Sequence, residues 1–250
     1  MGSSRLPGKV LLDLGGQSML ARVLKRAGRA IGLDEMVVAT TADKGDDALQ
    51  KFCEQAGYAC FRGDTFDVLD RYYQCARTVD AETVVRITAD CPLIAPEEIT
   101  RVLKVFQNGD YDFVANRLPP PFRRTTPIGM DTEIVSFDNL ERAWQEAKEP
   151  YEREHVMPYF YGMPGRFKVK LVQRRPSLGH LRFTVDTPED LALAREIYAA
   201  LDNRDDFSLA ELLEANARHP EWQASVGGVK HKSFKDLDAR MPAGHGEAHG

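Results

Sequence analysis

The chain has 250 residues, a hydrophobic share of 43% and a formal net charge of −5. That is room for one large α/β domain with a sizeable core, and the acidic balance speaks against a general nucleic-acid binder. No apolar run is long enough to cross a bilayer, no signal peptide is visible, and Cys53, Cys60, Cys75 and Cys91 show neither CxxC spacing nor a disulfide framework. The expectation is a cytoplasmic protein with reduced thiols, Cys60 and Cys75 lying in apolar surroundings.

The chain opens on GSSRLPGK (2–9). Gly2, Ser3, Ser4, Arg5, Gly8 and Lys9 supply flexible backbone, hydroxyls and two cations, which suits a loop around a polyphosphate. A plain N-terminal tail is the alternative. Met19, Leu20, Val23, Leu24 and Ala27 recur at helical spacing and predict a helix over 18–31 with one apolar face. A buried strand follows at 35–41, a helix at 46–57 stopped by Gly57, a short strand at 58–61 and a helix at 66–78. Then come a strand at 83–90, a helix at 96–109 with Pro96 at its start, and a strand at 111–116. Alternating strands and helices predict a Rossmann-like, mostly parallel sheet with helices on both faces.

The alternation breaks after Asn116. A proline- and arginine-rich loop precedes a strand-like MDTEIV (130–135). Helices are expected at 136–148 and 151–160, strands at 167–172 and 181–185, and helices at 188–201 and 208–218. Residues 117–180 read as an inserted α+β segment reaching away from the sheet, serving as substrate wall, dimer surface or both. The expected organisation is a single domain over 1–236 and a disordered tail over 237–250. The tail's His245 and His249 could bind a stray metal.

Two aspartates follow apolar strands. Asp90 precedes Cys91-Pro92, and Asp186 precedes Thr187-Pro188. Both would project at the carboxyl edge of the sheet, where a carboxylate pair facing a basic loop makes a plausible Mg²⁺-triphosphate site. The alternatives are a turn residue for Asp90 and a helix N-cap for Asp186. Asp131 and Glu133 stand two apart, on one face of a strand, and could position a hydroxylated substrate, assist the metal or simply form a solvated strand face. Arg153 and His155 open a predicted helix, where His155 lacks an evident partner for a role as base. Arg117, Arg123 and Arg124 flank the proline-rich loop and could hold a carboxylate or simply solvate it.

Taken in order, 2–16, VVATT (37–41), FRGDTFDVLDRY (61–72), VRITADCPLI (85–94), GMDTEI (129–134), YEREHVMPYF (151–160), FTVDTPEDL (183–191) and 219–236 resemble the cytidylyltransferase family. That family includes the acylneuraminate and deoxy-octulosonate cytidylyltransferases, and the likeness is strongest to its spore-coat polysaccharide branch. The resemblance implies transfer of CMP from CTP to an acidic sugar, with release of pyrophosphate, for a surface polysaccharide. It implies Mg²⁺ as cofactor, with Asp90 and Asp186 as its ligands. A homodimer is expected from the break in alternation over 117–180, and no nucleic-acid or membrane partner is expected from the charge and the apolar runs. Arg5, Lys9, Asp90 and Asp186 would be catalytic. Ser3, Ser4, Arg5 and Lys9 would bind the nucleotide's phosphates, with Thr40, Arg62 and Arg86 near its cytidine. Asn116, Asp131 and Glu133 would lie against the acceptor sugar. Members of the family carry an apolar strand ending in Gln-Ala-Arg ahead of the loop. The chain here starts at the loop, so that strand is expected to be missing and the activity of this form is open. Two other readings stay open: a nucleotidyltransferase using another NTP or a sugar phosphate, and a non-catalytic nucleotide- or sugar-binding homologue.

Overall fold

The computed structural model describes residues 2–3 and 5–228. Ser4 and the segment expected to form a tail, with His245 and His249, lie outside the described residues. Helices and strands alternate through the first half: α1 (Met19–Ala27), β1 (Val37–Thr41), α2 (Asp47–Ala56), β2 (Ala59–Gly63), α3 (Val68–Thr78), β3 (Thr83–Arg86), α4 (Pro96–Gln107) and β4 (Phe113–Ala115). The second half comprises β5 (Glu133–Ser136), α5 (Phe137–Glu146), α6 (Pro150–His155), α7 (Pro158–Tyr161), β6 (Val169–Leu171), α8 (Pro188–Ala200), α9 (Leu209–Arg218) and α10 (Glu221–Val226).

The strands form a parallel pair, β1–β2, and a four-stranded sheet in the order β3-β5-β4-β6. The expected α/β class with parallel pairing is present in β1–β2 and in β4–β6, while β5 runs antiparallel to both neighbours. Residues 117–180 therefore do not reach away from the sheet. They supply one strand to its middle and one to its edge. The break in alternation marks a reversal of strand direction, which a hairpin-like return allows and a βα crossover does not. The reversal sets Glu133 opposite both Arg86 and Ala115, so the ends of β3 and β4 share one edge with the start of β5.

Three other expectations change. The apolar run 181–185 forms only an isolated bridge, Ile128 with Arg182. It is extended and buried, but its partners switch: Phe183 N donates to Ile128 O, and Val185 N donates to Asp90 O. The segment laces two loops together instead of joining a ladder. The helix expected over 151–160 is two short helices. Between them Val156 takes φ 67°, and Pro158 cannot continue the first helix's hydrogen bonding. Finally, α1 does not bury one face only. Arg22 and Arg26 are fully buried beside its apolar residues. Their guanidiniums reach the carbonyls of Leu14, Gly15, Asn203, Ile94, Asp205 and Phe207, which leaves most of their donors satisfied and makes burial affordable. Helix α10 has no counterpart in the sequence-based expectation.

The main core packs Leu14, Met19 and Ala27 against Ile94, Phe183, Val185, Ile197, Tyr198 and Phe207. A second core joins α3, β4 and α5 to the pair α6–α7 through Leu69, Phe113, Leu140 and Phe160. All four cysteines are free thiols. Cys75 is buried as expected, whereas Cys60 is half-buried. Burial pushes the Cys53 thiol up to about 12 and the Cys75 thiol to about 11, so neither is a ready nucleophile. No helix among the described residues is long and apolar enough to cross a membrane.

Candidate active site

The N-terminal loop is a built turn in which Leu6 N donates to Ser3 Oγ at 3.3 Å. Gly8 takes the left-handed conformation, φ 68°, and swings the chain into a 3-10 turn, Lys9–Leu11. A side chain at position 8 would strain that reversal.

The reversal aims Lys9 inward. Its ammonium donates to Asp90 Oδ2 at 3.1 Å, Asp186 Oδ1 at 3.0 Å and the Val185 carbonyl at 2.7 Å. Each carboxylate is held by local chemistry. Thr88 Oγ1 donates to Asp90 Oδ1 at 2.7 Å, and the Asp90 carbonyl accepts from Val185 N and Thr184 Oγ1. Residue 186 is not the helix cap. Thr187 caps α8 in a capping box with Asp190, whose Oδ2 accepts from the backbone of Asp186 and Thr187. The Asp186 carboxylate is thereby left to face cations: Lys9, Arg5 Nη2 at 3.3 Å and Arg182 Nη2 at 3.2 Å.

Electrostatics follow from this crowding. Burial opposes ionisation of Asp186, but Lys9, Arg5 and Arg182 outweigh it and hold the carboxyl below the ordinary aspartate value. Burial likewise works against charge on Lys9, and the two carboxylates reverse that effect and raise its pKa. Cys91 lies alongside, where burial pushes its thiol well up. Three oxygens from two segments converging on one ammonium form a cradle for a cation. Two of them are hard carboxylate oxygens, the donor type Mg²⁺ takes, so the residues fit that ion. Among the described residues no group of three or more His, Cys, Asp or Glu is arranged to hold a metal.

The other sequence candidates fall into separate clusters. Thr40 and Arg62 are register partners on β1 and β2. Thr40 and Thr41 hydroxyls both donate to Asp46 Oδ2 at 2.6 Å. Arg62 donates to the carbonyls of Thr41 and Asp43 and to Asp47 and Gln50. These hydroxyl and backbone donors favour the ionised Asp46 carboxylate, against the effect of burial. Arg86, assigned to the cytidine, pairs across the strands with Glu133, assigned to the sugar, so the two act as one unit. Asp131 precedes β5 and takes a bidentate pair from Arg124, 2.5 and 2.8 Å.

Asn116 is 1% exposed, and its amide spans Met130 O and Thr132 N. It braces the 130–132 turn and offers little surface to a ligand. Gly129 sits in the same turn with φ 95°, where a Cβ would stand 2.6 Å from the backbone of Phe183 and Thr184. Arg153 ties α6 to Asp67 and to the carbonyls of Trp144 and Ala147, and His155 is the last residue of α6. An open cleft of about 350 Å³ is lined by Arg123, Arg124, Ser177, Gly179 and His180. Sequence reasoning missed Arg182, 5% exposed, which grips Asp190 through two bonds of 2.7 Å and reaches Asp186. Its signal was the spacing of an Arg four and eight residues before two aspartates, in an apolar run.

The family model for cytidylyltransferases matches residues 1–216. The spore coat polysaccharide biosynthesis protein SpsF of Bacillus subtilis is 30% identical over 230 residues, covering 88% of this chain and 92% of that protein. A 3-deoxy-manno-octulosonate cytidylyltransferase of Anaeromyxobacter sp. is 29% identical over 237 residues, covering 80% and 94%. A solved cytidylyltransferase from Leptospira borgpetersenii superposes with a TM-score of 0.84 at 30% identity, covering 92% of this chain and 95% of its own. With the family model matched over most of its length, this chain belongs to the cytidylyltransferase family.

Proposed function

We propose that the chain transfers CMP from CTP to an acidic sugar of the nonulosonate kind, releasing pyrophosphate, in the cytoplasmic synthesis of a surface polysaccharide. The observation that carries this reading is the meeting of Lys9 with Asp90 and Asp186 at the mouth of a glycine-turned basic loop. In the reaction an acceptor hydroxyl attacks the α-phosphorus, the bond from that phosphorus to the bridging oxygen breaks, and pyrophosphate carries the charge away. Arg5, Lys9 and the loop with Ser3 face that charge and orient the phosphates for in-line attack, and Ser4 is assigned to the same phosphates on the family resemblance alone. Asp90 and Asp186 would hold Mg²⁺, whose bound form supplies Lewis-acid stabilisation of the phosphoryl oxygens. With only two carboxylates from the protein, phosphate oxygens and water complete its shell.

Thr40 and Arg62 frame the nucleotide side from β1 and β2. The ion pairs Arg86–Glu133 and Arg124–Asp131 offer both donors and acceptors to a polyhydroxylated sugar, with Asn116 positioning the turn that carries Asp131. The cleft at Arg123 and His180 supports an acidic acceptor. We place a homodimer contact in 117–180, within a single domain, and a dimer mass by light scattering at micromolar protein checks it. The function is tested by measuring pyrophosphate release with CTP, UTP, ATP and GTP across a panel of acidic and neutral sugars, with calorimetry of CTP binding alongside. Turnover confined to CTP and an acidic sugar is expected. Turnover with another NTP or a neutral sugar phosphate, or CTP binding without turnover on any acceptor, would overturn it.

A further inference from the structure

The cation cradle is filled by the protein's own side chain. Lys9 Nζ lies 3.1 Å from Asp90, 3.0 Å from Asp186 and 2.7 Å from the Val185 carbonyl, on a side chain 12% exposed. The two carboxylates depend on it unequally. Asp186 also has Arg5 and Arg182. Asp90 has Lys9 as its cation among the described residues, and beyond that the Thr88 hydroxyl and the Cys91 thiol. A divalent ion drawn to this pair meets an ammonium already seated there. Both cannot share the same oxygens without strong repulsion.

The lysine can leave without dismantling the fold. It stands on a short 3-10 turn directly after the left-handed Gly8, and the loop before it, Arg5 and Pro7, is exposed at the surface. A triphosphate arriving at that loop offers the ammonium new anionic partners. It also brings oxygens that complete the metal's shell.

We infer that Lys9 is the resident counter-ion of the Asp90–Asp186 pair, a positioning residue that excludes divalent metal from the free protein and yields its place when a metal-bound nucleoside triphosphate engages the loop. This rests on the metal–nucleotide reading above. It makes metal and nucleotide binding mutually dependent: each ligand's affinity rises when the other is bound, by the same factor. The lysine also keeps two carboxylates from repelling each other while the site waits, so the pair is preassembled without a metal.

The experiment measures Mn²⁺ binding, by electron paramagnetic resonance and calorimetry, to the free protein and to the same protein with a non-hydrolysable CTP analogue. Wild type should bind Mn²⁺ weakly alone and tightly with the analogue. Lys9→Met should bind Mn²⁺ at least roughly tenfold more tightly when alone, since unit charges ~3 Å apart interact by that factor even in bulk water. The same variant should bind the Mn²⁺-analogue complex more weakly, so the coupling factor collapses. Lys9→Gln keeps a hydrogen-bonding arm without charge. It must show the same gain for free Mn²⁺, which separates charge from packing and covers the case in which Lys9→Met fails to fold. Unchanged or weaker Mn²⁺ binding in Lys9→Gln would overturn the counter-ion role while leaving the metal reading intact. If wild type with the analogue binds no Mn²⁺, or if the gain in Lys9→Gln survives Asp90→Asn, the metal reading itself fails and this inference with it.

Discussion

Arg182→Met is the perturbation that most directly tests how the site is built. Arg182 and Asp190 are 5% and 2% exposed and share two bonds of 2.7 Å. Removing one member of a buried pair typically costs about 3–5 kcal/mol, because the remaining charge is stranded. Here Asp190 keeps two backbone donors, from Asp186 and Thr187, so part of its charge stays solvated by the fold. The expected loss is therefore about 2–4 kcal/mol, a large share of the roughly 5–15 kcal/mol that holds a typical protein folded. For a chain of this size that is a drop in Tm of roughly 5–15 °C. Urea unfolding followed by circular dichroism gives the free energy, and calorimetry the Tm. The double variant Arg182→Met with Asp190→Leu should recover part of the loss, since no charge is then left unpaired, although the α8 capping box goes with it. A single variant within about 0.5 kcal/mol of wild type would mean that the pair is not desolvated, and that the support assigned to Asp186 is illusory.

Asp90→Asn and Asp186→Asn should each lower kcat by at least roughly a hundredfold in protein that still folds, as expected when charge stabilisation in the transition state is lost. Near-normal turnover at saturating Mg²⁺ in either variant would remove that residue from the site. The pH dependence has a definite sign. The folded pKa of Asp186 is depressed because its cations outweigh burial, so its contribution to stability is fully present above the unfolded aspartate value, near pH 4, and fades as pH falls through the folded value. Urea midpoints from pH 6 to pH 2.5 should fall less steeply in Asp186→Asn than in wild type, and parallel curves would contradict the depressed pKa. Gly129→Ala places a Cβ 2.6 Å from the backbone of Phe183 at φ 95°. It should destabilise by roughly 1–3 kcal/mol or more, and a neutral effect on the urea midpoint would show that the 129 and 183 segments are not in close register.

Much of the architecture was legible because its signals are local. Short apolar runs bounded by Gly57, Pro96 and Gly109 marked the βα units to within a few residues, and an aspartate directly after an apolar run pointed to Asp90 and Asp186. What escaped is long-range. Nothing near residues 181–185 reveals that their hydrogen bonds go alternately to Ile128 and Asp90; an extended apolar segment looks the same whether its partners are one strand or two loops. The antiparallel placement of β5 is a pairing choice between segments dozens of residues apart. Arginines at positions 22 and 26 read as the solvated side of a helix until the carbonyls that receive them are known. The family resemblance set Asn116 against the acceptor sugar. The turn over 130–132 uses both atoms of its amide, and no spacing rule anticipates that.

Those two arginines have a consequence for how the molecule opens. Arg22 lies over the Tyr198 ring at 4.3 Å and Arg26 over Phe207 at 3.6 Å, while their donors end on carbonyls of residues 14–15, 94 and 203–207. None of these segments can separate from α1 without exposing buried guanidinium donors to a gap that water has yet to fill. In hydrogen-exchange terms, the amides of Leu14, of α1, of Ile94 and of Asn203 should exchange with a common opening free energy, as one cooperative unit. The exposed loop ahead of Lys9 lies outside that unit and should exchange far faster. The protein thus sets its exposed N-terminal turn on a base that opens only when the first helix and the C-terminal helices let go together.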